Sequence, residues 1–141
     1  MSQEIRIQAT LQVTNPPVQY YSQPGVSIAN QVGVGGPAPG TVLAGVGGIN
    51  INFGPLTTPA CCRIQNYDTV NFITYGVFDA ESNEFYPLGE ALPGESYVIR
   101  LSRHMKTVYP PTGTGSPGAP LSFHIRADRA PCLVQVDAFQ A

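Results

Sequence analysis

The chain has 141 residues, 15 of them Gly and 14 Pro, and a formal net charge of −2. That length suits one domain with a core of its own, and so much Gly and Pro works against helices. Only 11% of residues are charged, against about 25% in ordinary globular domains, and a nucleic-acid binder, which needs a basic stripe, is excluded.

A surface poor in Lys and Glu loses little hydration on contact, so it suits permanent assembly. No stretch approaches the ~20 apolar residues of a membrane-spanning helix, and no membrane partner is expected. The opening MSQEIRIQ is expected to enter a strand at once. It has no h-region, so no secretory signal is expected; exit from a cell would take another route, such as lysis inside a particle.

Residues 4–14 alternate. Ile5, Ile7, Ala9, Leu11 and Val13 share one face, and Glu4, Arg6, Gln8, Thr10, Gln12 and Thr14 the other, which predicts a half-buried strand stopped by Asn15-Pro16-Pro17. Residues 15–59 are rich in Gly and Pro and contain no charged residue. They are expected to form edge strands, best at 41–46 and 49–53, within a partly extended arm or insertion that orders against a neighbour. Residues 33–40 read as an exposed loop.

Four stronger strands are predicted at 62–65, 70–78, 85–88 and 96–102. The second is apolar on both faces, as a central strand would be. Residues 79–83, Asp-Ala-Glu-Ser-Asn, form a polar hairpin loop, and Leu92-Pro93-Gly94-Glu95 has the residues of a type II turn. Residues 109–120 are a second Pro/Gly/Thr/Ser loop. The last segments are expected to pair as a hairpin, with Leu121, Phe123, Ile125 and Ala127 against Cys132, Val134, Val136 and Ala138. The whole predicts one all-β domain over residues 1–141, a β-sandwich of jelly-roll type.

Catalytic chemistry finds little footing. The GVGG at residues 33–36 lacks the Lys-Ser/Thr of a phosphate-binding loop and its strand–helix context. Asp79, Glu81, Asn83 and Glu90 fall on an EF-hand-like count, but Glu84 stands where the sharp turn needs Gly. A polar hairpin is the better reading, with a weak surface calcium site as the alternative. His104 and His124 have no nucleophile at a recognisable elbow and read as surface residues; Arg103 and Lys106 are too few for a basic patch. Adjacent Cys61 and Cys62 point to opposite faces of a strand, so at most one shares a core with Cys132. Buried thiols are expected, a bridge from Cys132 to either being the alternative, and zinc is rejected for want of a CxxC pair. No catalytic, cofactor or metal residues are assigned.

Asn66-Tyr-Asp68, Asn71-Phe72-Ile73, Gly76-Val77, Phe85-Tyr86-Pro87-Leu88, Leu92-Pro93-Gly94-Glu95 and Arg100-Leu101 follow in that order, and RADRAPCLVQVDAF closes the chain. This series, over about residues 60–102 and 124–139, resembles a group of small virion proteins of tailed bacteriophages; the first 59 residues depart from it. The resemblance implies a β-sandwich structural protein of the virion. It is expected to be a capsid cement or decoration protein on the outside of the shell, made in the host bacterial cytoplasm. Its implied partners are the major capsid protein and further copies of itself, as a trimer or dimer at a symmetry axis. Pro93-Gly94, Asp68 and Asn71 then look architectural. The alternative is a tail, neck or carbohydrate-binding receptor module, with Tyr20, Tyr21 and Tyr109 as residues to test. An enzyme is not expected.

Overall fold

Short β-branched runs separated by Gly, Pro and Asn build strands and turns throughout the computed structural model, which describes residues 4–31, 36–54, 56, 59–102 and 121–140. Among them the strands are β1 (Glu4–Ala9), β2 (Gln12–Val13), β3 (Tyr20–Tyr21), β4 (Gly25–Asn30), β5 (Ala38–Ala44) and β6 (Ile49–Asn50). Then follow β7 (Pro59–Asn66), β8 (Ile73–Asp79), β9 (Glu84–Ala91), β10 (Ser96–Arg100), β11 (Leu121–Ala127) and β12 (Cys132–Gln140). No described residue is helical.

Two four-stranded antiparallel sheets, in the orders β10-β7-β12-β5 and β6-β11-β8-β9, face each other as a β-sandwich. Their pairing is nested: β8 with β9, β7 with β10, β6 with β11, β5 with β12. The chain is one long doubled hairpin whose successive pairs alternate between the sheets. The core lies between them. Cys62, Ile64, Val134, Val136 and Ala44 come from one sheet, and Ile73, Phe123, Ile125 and Ala91 from the other. Each large aliphatic or aromatic side chain buried there contributes about 1.5–3 kcal/mol.

Residues 4–30 stand apart as a two-stranded ribbon, β1 on β4 and β2 on β3. Register runs Glu4↔Asn30 to Ala9↔Gly25, then Gln12↔Tyr21 and Val13↔Tyr20. The pairing sum falls by one between these runs, so Thr10 faces both Gln23 and Pro24. This is a bulge, placed where Pro can sit without breaking a ladder. The bulge also splits the predicted single strand at 4–14 and leaves Leu11 63% exposed.

Other expectations shift. Residues 38–44 and 49–50 are edge strands of the sandwich, so the segment that departs from it ends near residue 31, not 59. Residues 70–72 are connection, with Val70 79% exposed, although β8 beyond them is central as expected. β11 and β12 do not form a hairpin: β11 pairs with β6 and β8, β12 with β5 and β7. The reason is geometric. Two alternating runs joined by a short turn bury their apolar faces equally well across a sandwich as beside each other in one sheet. Gly94 has φ +80 and the Glu95 amide donates to the Leu92 carbonyl at 3.0 Å, as the type II turn requires.

Candidate interaction surfaces

Of the residues singled out as architectural, Asp68 holds a loop with its side chain, and Asn71 takes part through its backbone and one 3.3 Å side-chain bond to Asp68. Asn66, which was not among them, carries most of the fastening. Asn66, at the end of β7 and fully buried, donates from Nδ2 to the carbonyls of Asn71 (2.9 Å) and Ala91 (3.1 Å), and its Oδ1 accepts from the Asp68 amide at 2.9 Å. Asp68 Oδ1 accepts from the amides of Val70 (2.7 Å) and Asn71 (2.5 Å). The Asn71 amide bond, ahead of the others, holds the Asp68 carboxyl below the usual carboxylate range. These side chains replace the ladder bonds that a chain changing sheets gives up.

His124 was expected at the surface, yet it is 5% exposed on the outer face of β11. Its ring stacks on Phe78 and tilts against Phe85, both at 5.0 Å. Arg126 lies over the Phe85 ring at 4.5 Å. Nδ1 lies 2.7 Å from Asn50 Oδ1, and Arg126 Nε donates to Nε2 at 3.2 Å. That pattern assigns a neutral ring protonated at Nδ1. Burial first, and the Arg126 charge second, lower its pKa to about 4. A Cβ on Gly48 would collide with the imidazole, so the tight turn before β6 needs Gly there. Both nitrogens are engaged. This is a covered structural imidazole, and alternation alone could not reveal it because large neighbours cover its face.

All three cysteines are free and buried. Cys62 faces the core and Cys61 the outer side of β7, as adjacency predicts. Cys132 pairs in register opposite Ala44, two residues before the Val134↔Asn66 pair, so it lies near the far end of β7 from Cys62 and no bridge forms. Burial pushes the Cys62 thiol up to about 12 and also raises that of Cys132. Asp79 Oδ1 and Oδ2 are taken by the Glu81 amide and the Ser82 hydroxyl, each at 2.9 Å. Glu90 lies six residues along β9 from Glu84, the partner of Asp79, or about 20 Å away, so the EF-hand-like count does not converge. Among the described residues no cluster of metal ligands occurs. Residues 33–35, Arg103, His104, Lys106 and Tyr109 lie outside the described residues.

What the fold does present is apolar surface. On the ribbon, Val13 and Tyr20 share one face and Tyr21 the other, while Val26 and Ile28 line one face nearer its base; all are exposed. On the outer face of the β10-β7-β12-β5 sheet, Leu43 and Leu133 form a directly opposed pair, both more than half exposed. Beside them a polar chain runs across the strands, from Thr41 to Gln135 (2.7 Å) and Gln135 to Asp137 (2.7 Å), with Arg63 3.8 Å from Asp137.

The sheet edges differ. β5 contains Pro39, β9 contains Pro87 and a bulge at Leu88, and β6 has two residues; each device blunts an edge. β10 has none. The Leu101 amide donates to the Ala60 carbonyl (2.7 Å) and the Asn66 amide to the Glu95 carbonyl (3.0 Å). With the register Ser96↔Gln65 to Arg100↔Cys61, odd-numbered β10 residues bond to β7. The N–H and C=O of Ser96, Val98 and Arg100 therefore point to the open side. Beneath that edge lies an apolar cleft of about 420 Å³, lined by Tyr75, Leu88, Ile99, Leu101 and Phe123 among others.

Comparison with family models, curated proteins and solved structures finds no match.

Proposed function

We propose that this chain is a structural protein of a bacteriophage virion, a cement or decoration protein that stabilises the shell by bridging subunits of the major capsid protein. The observation that carries the reading is the ribbon of residues 4–30. It reaches about 30 Å, exposes apolar side chains on both faces, and beyond Arg6 carries no charged side chain, the next in the chain being Arg63. A two-stranded ribbon is marginal alone in water, and one with exposed Leu, Val, Ile and Tyr gains most by lying on another surface. Contacts spread over ribbon and sandwich allow one copy to engage two shell subunits, so avidity comes from geometry.

The resemblance of residues 60–102 and 124–139 to small phage virion proteins supports the same reading. The nested strand pairing supports the jelly-roll form of the sandwich. A homo-oligomer at a symmetry axis of the capsid exterior fits a charge-poor surface.

The test is co-sedimentation with empty phage shells. The protein is expected to pellet with shells, and Leu11→Asp with Tyr20→Asp in the ribbon is expected to abolish pelleting while leaving the sandwich folded. Unchanged pelleting of that variant would refute the ribbon's role.

A second reading has its own observation. Tyr20 and Tyr21 border a shallow hollow with Gln12, Thr14 and Gln19, a mix of rings, amides and hydroxyls suited to a sugar. A tail or receptor-binding module would bind glycans and lose them on Tyr20→Ala; no binding across a broad glycan panel would end this reading.

A further inference from the structure

We propose that the open edge of β10 is the self-association site of this protein: two copies pair β10 against β10, antiparallel, about a two-fold axis at Val98. The inference rests on edge geometry and stands independently of the virion reading.

Self-complementarity argues for a second copy as the occupant. Ser96, Val98 and Arg100 each present one N–H and one C=O outward, as derived from the ladder to β7. Centred on Val98, the pairing sets Val98 against the partner's Val98 and Ser96 against the partner's Arg100. All are pairs of the hydrogen-bonded kind, so each outward donor meets an acceptor. The only charge among the three, Arg100, meets a neutral serine. A shift by one residue would bring inward-bonded groups to the edge and satisfy none of them.

The same register decides the side chains. Tyr97 and Ile99 lie on the inner face of the sheet, because Tyr97 pairs with Ile64 and Ile99 with Cys62, both core residues. Across the two-fold, Tyr97 of each copy comes opposite the partner's Ile99. That is the closer, non-hydrogen-bonded kind of pair, favourable for an aromatic against a β-branched residue. Ile99 lines the cleft of about 420 Å³ under the edge. The incoming ring, which is 42% exposed in the single chain, therefore enters an apolar hollow with room for one aromatic side chain. Edge and cleft are both filled by one operation, and the β10-β7-β12-β5 sheets of the two copies become one sheet of double width.

The experiment is sedimentation velocity of the full chain over a wide concentration range, with Val98→Pro, Tyr97→Ala and Val98→Cys. Val98→Pro removes a donor that points away from β7, so the fold's own ladder stays intact. Wild type is expected to dimerise, and both Val98→Pro and Tyr97→Ala to weaken the dimer at least tenfold with circular dichroism unchanged. Val98→Cys, whose partner position lies about 5.5 Å away between Cα atoms, is expected to cross-link on mild oxidation, and Arg100→Cys is not. A monomer at all concentrations, a trimer, a dimer indifferent to both edge variants, or cross-linking equal at Arg100→Cys would each overturn the proposal. If Val98→Pro fails to fold, Tyr97→Ala and the cross-linking pair decide the matter.

Discussion

Replacing Asn66 with Ala removes three side-chain hydrogen bonds from a fully buried position. The carbonyl of Ala91 and that of Asn71 lose a donor, and the Asp68 amide loses its acceptor. A typical bond contributes about 1 kcal/mol net, and a buried group left unpaired costs about 1–3 kcal/mol. Some of these groups lie where water reaches them, so the sum comes to about 3 kcal/mol. For a domain of this size that lowers Tm by about 10 °C. Urea unfolding followed by circular dichroism measures the loss as a shift in midpoint at constant slope. Asn71→Ala is the control. It removes one 3.3 Å side-chain bond to Asp68 and is expected to cost about 0.5 kcal/mol or less. A loss under about 1 kcal/mol for Asn66→Ala, or equal losses for the two, would refute the assignment of Asn66 as the fastening of the β7–β8 connection.

Further outcomes are expected. His124 has a folded pKa near 4 against 6.5 unfolded, so the unfolded state binds the extra proton and stability falls as pH drops from 6.5 toward 4. The loss is on the order of 2–3 kcal/mol; urea midpoints at several pH values measure it, and a flat profile for wild type would contradict the buried, neutral ring. The depressed Asp68 and Asp79 add a further loss only as pH falls below the ordinary carboxylate range. Gly48→Ala, driving a methyl into His124 at positive φ, is expected to cost about 1–3 kcal/mol in the same assay. Native protein is expected to react slowly with a thiol reagent at neutral pH and to release three thiols on denaturation; fewer than three would mean a bridge.

The sandwich was largely legible because alternation and turn chemistry are local. The Leu92–Glu95 turn, the Asp79 hairpin and the edge strands near residues 41 and 49 follow from side-chain period and from Pro, Gly and Asp. Asp68 is legible as a loop-fixing residue through the resemblance, but Asn66 is not, because its bond to the Ala91 carbonyl spans 25 residues. Which strands pair was not. β11 and β12 satisfy their alternation whether paired or facing, and only the competition of all eight strands for partners decides. The ribbon's bulge was hidden because Thr10 continues the alternation that Pro24, fourteen residues later, interrupts. The burial of His124 is not legible because its cover comes from Phe78, Phe85 and Arg126 on the outside of the sheet, where a polar pattern ordinarily signals water. The open edge of β10 could not be read either, because edges exist only once sheet order is known.

The cement reading stands or falls most directly on the heat resistance of empty phage shells titrated with the purified chain. The account predicts a saturable rise in the temperature at which shells rupture, levelling at a fixed number of copies per shell, and absent for the Leu11→Asp, Tyr20→Asp variant. No rise at concentrations that saturate binding, or no binding at all, would contradict it.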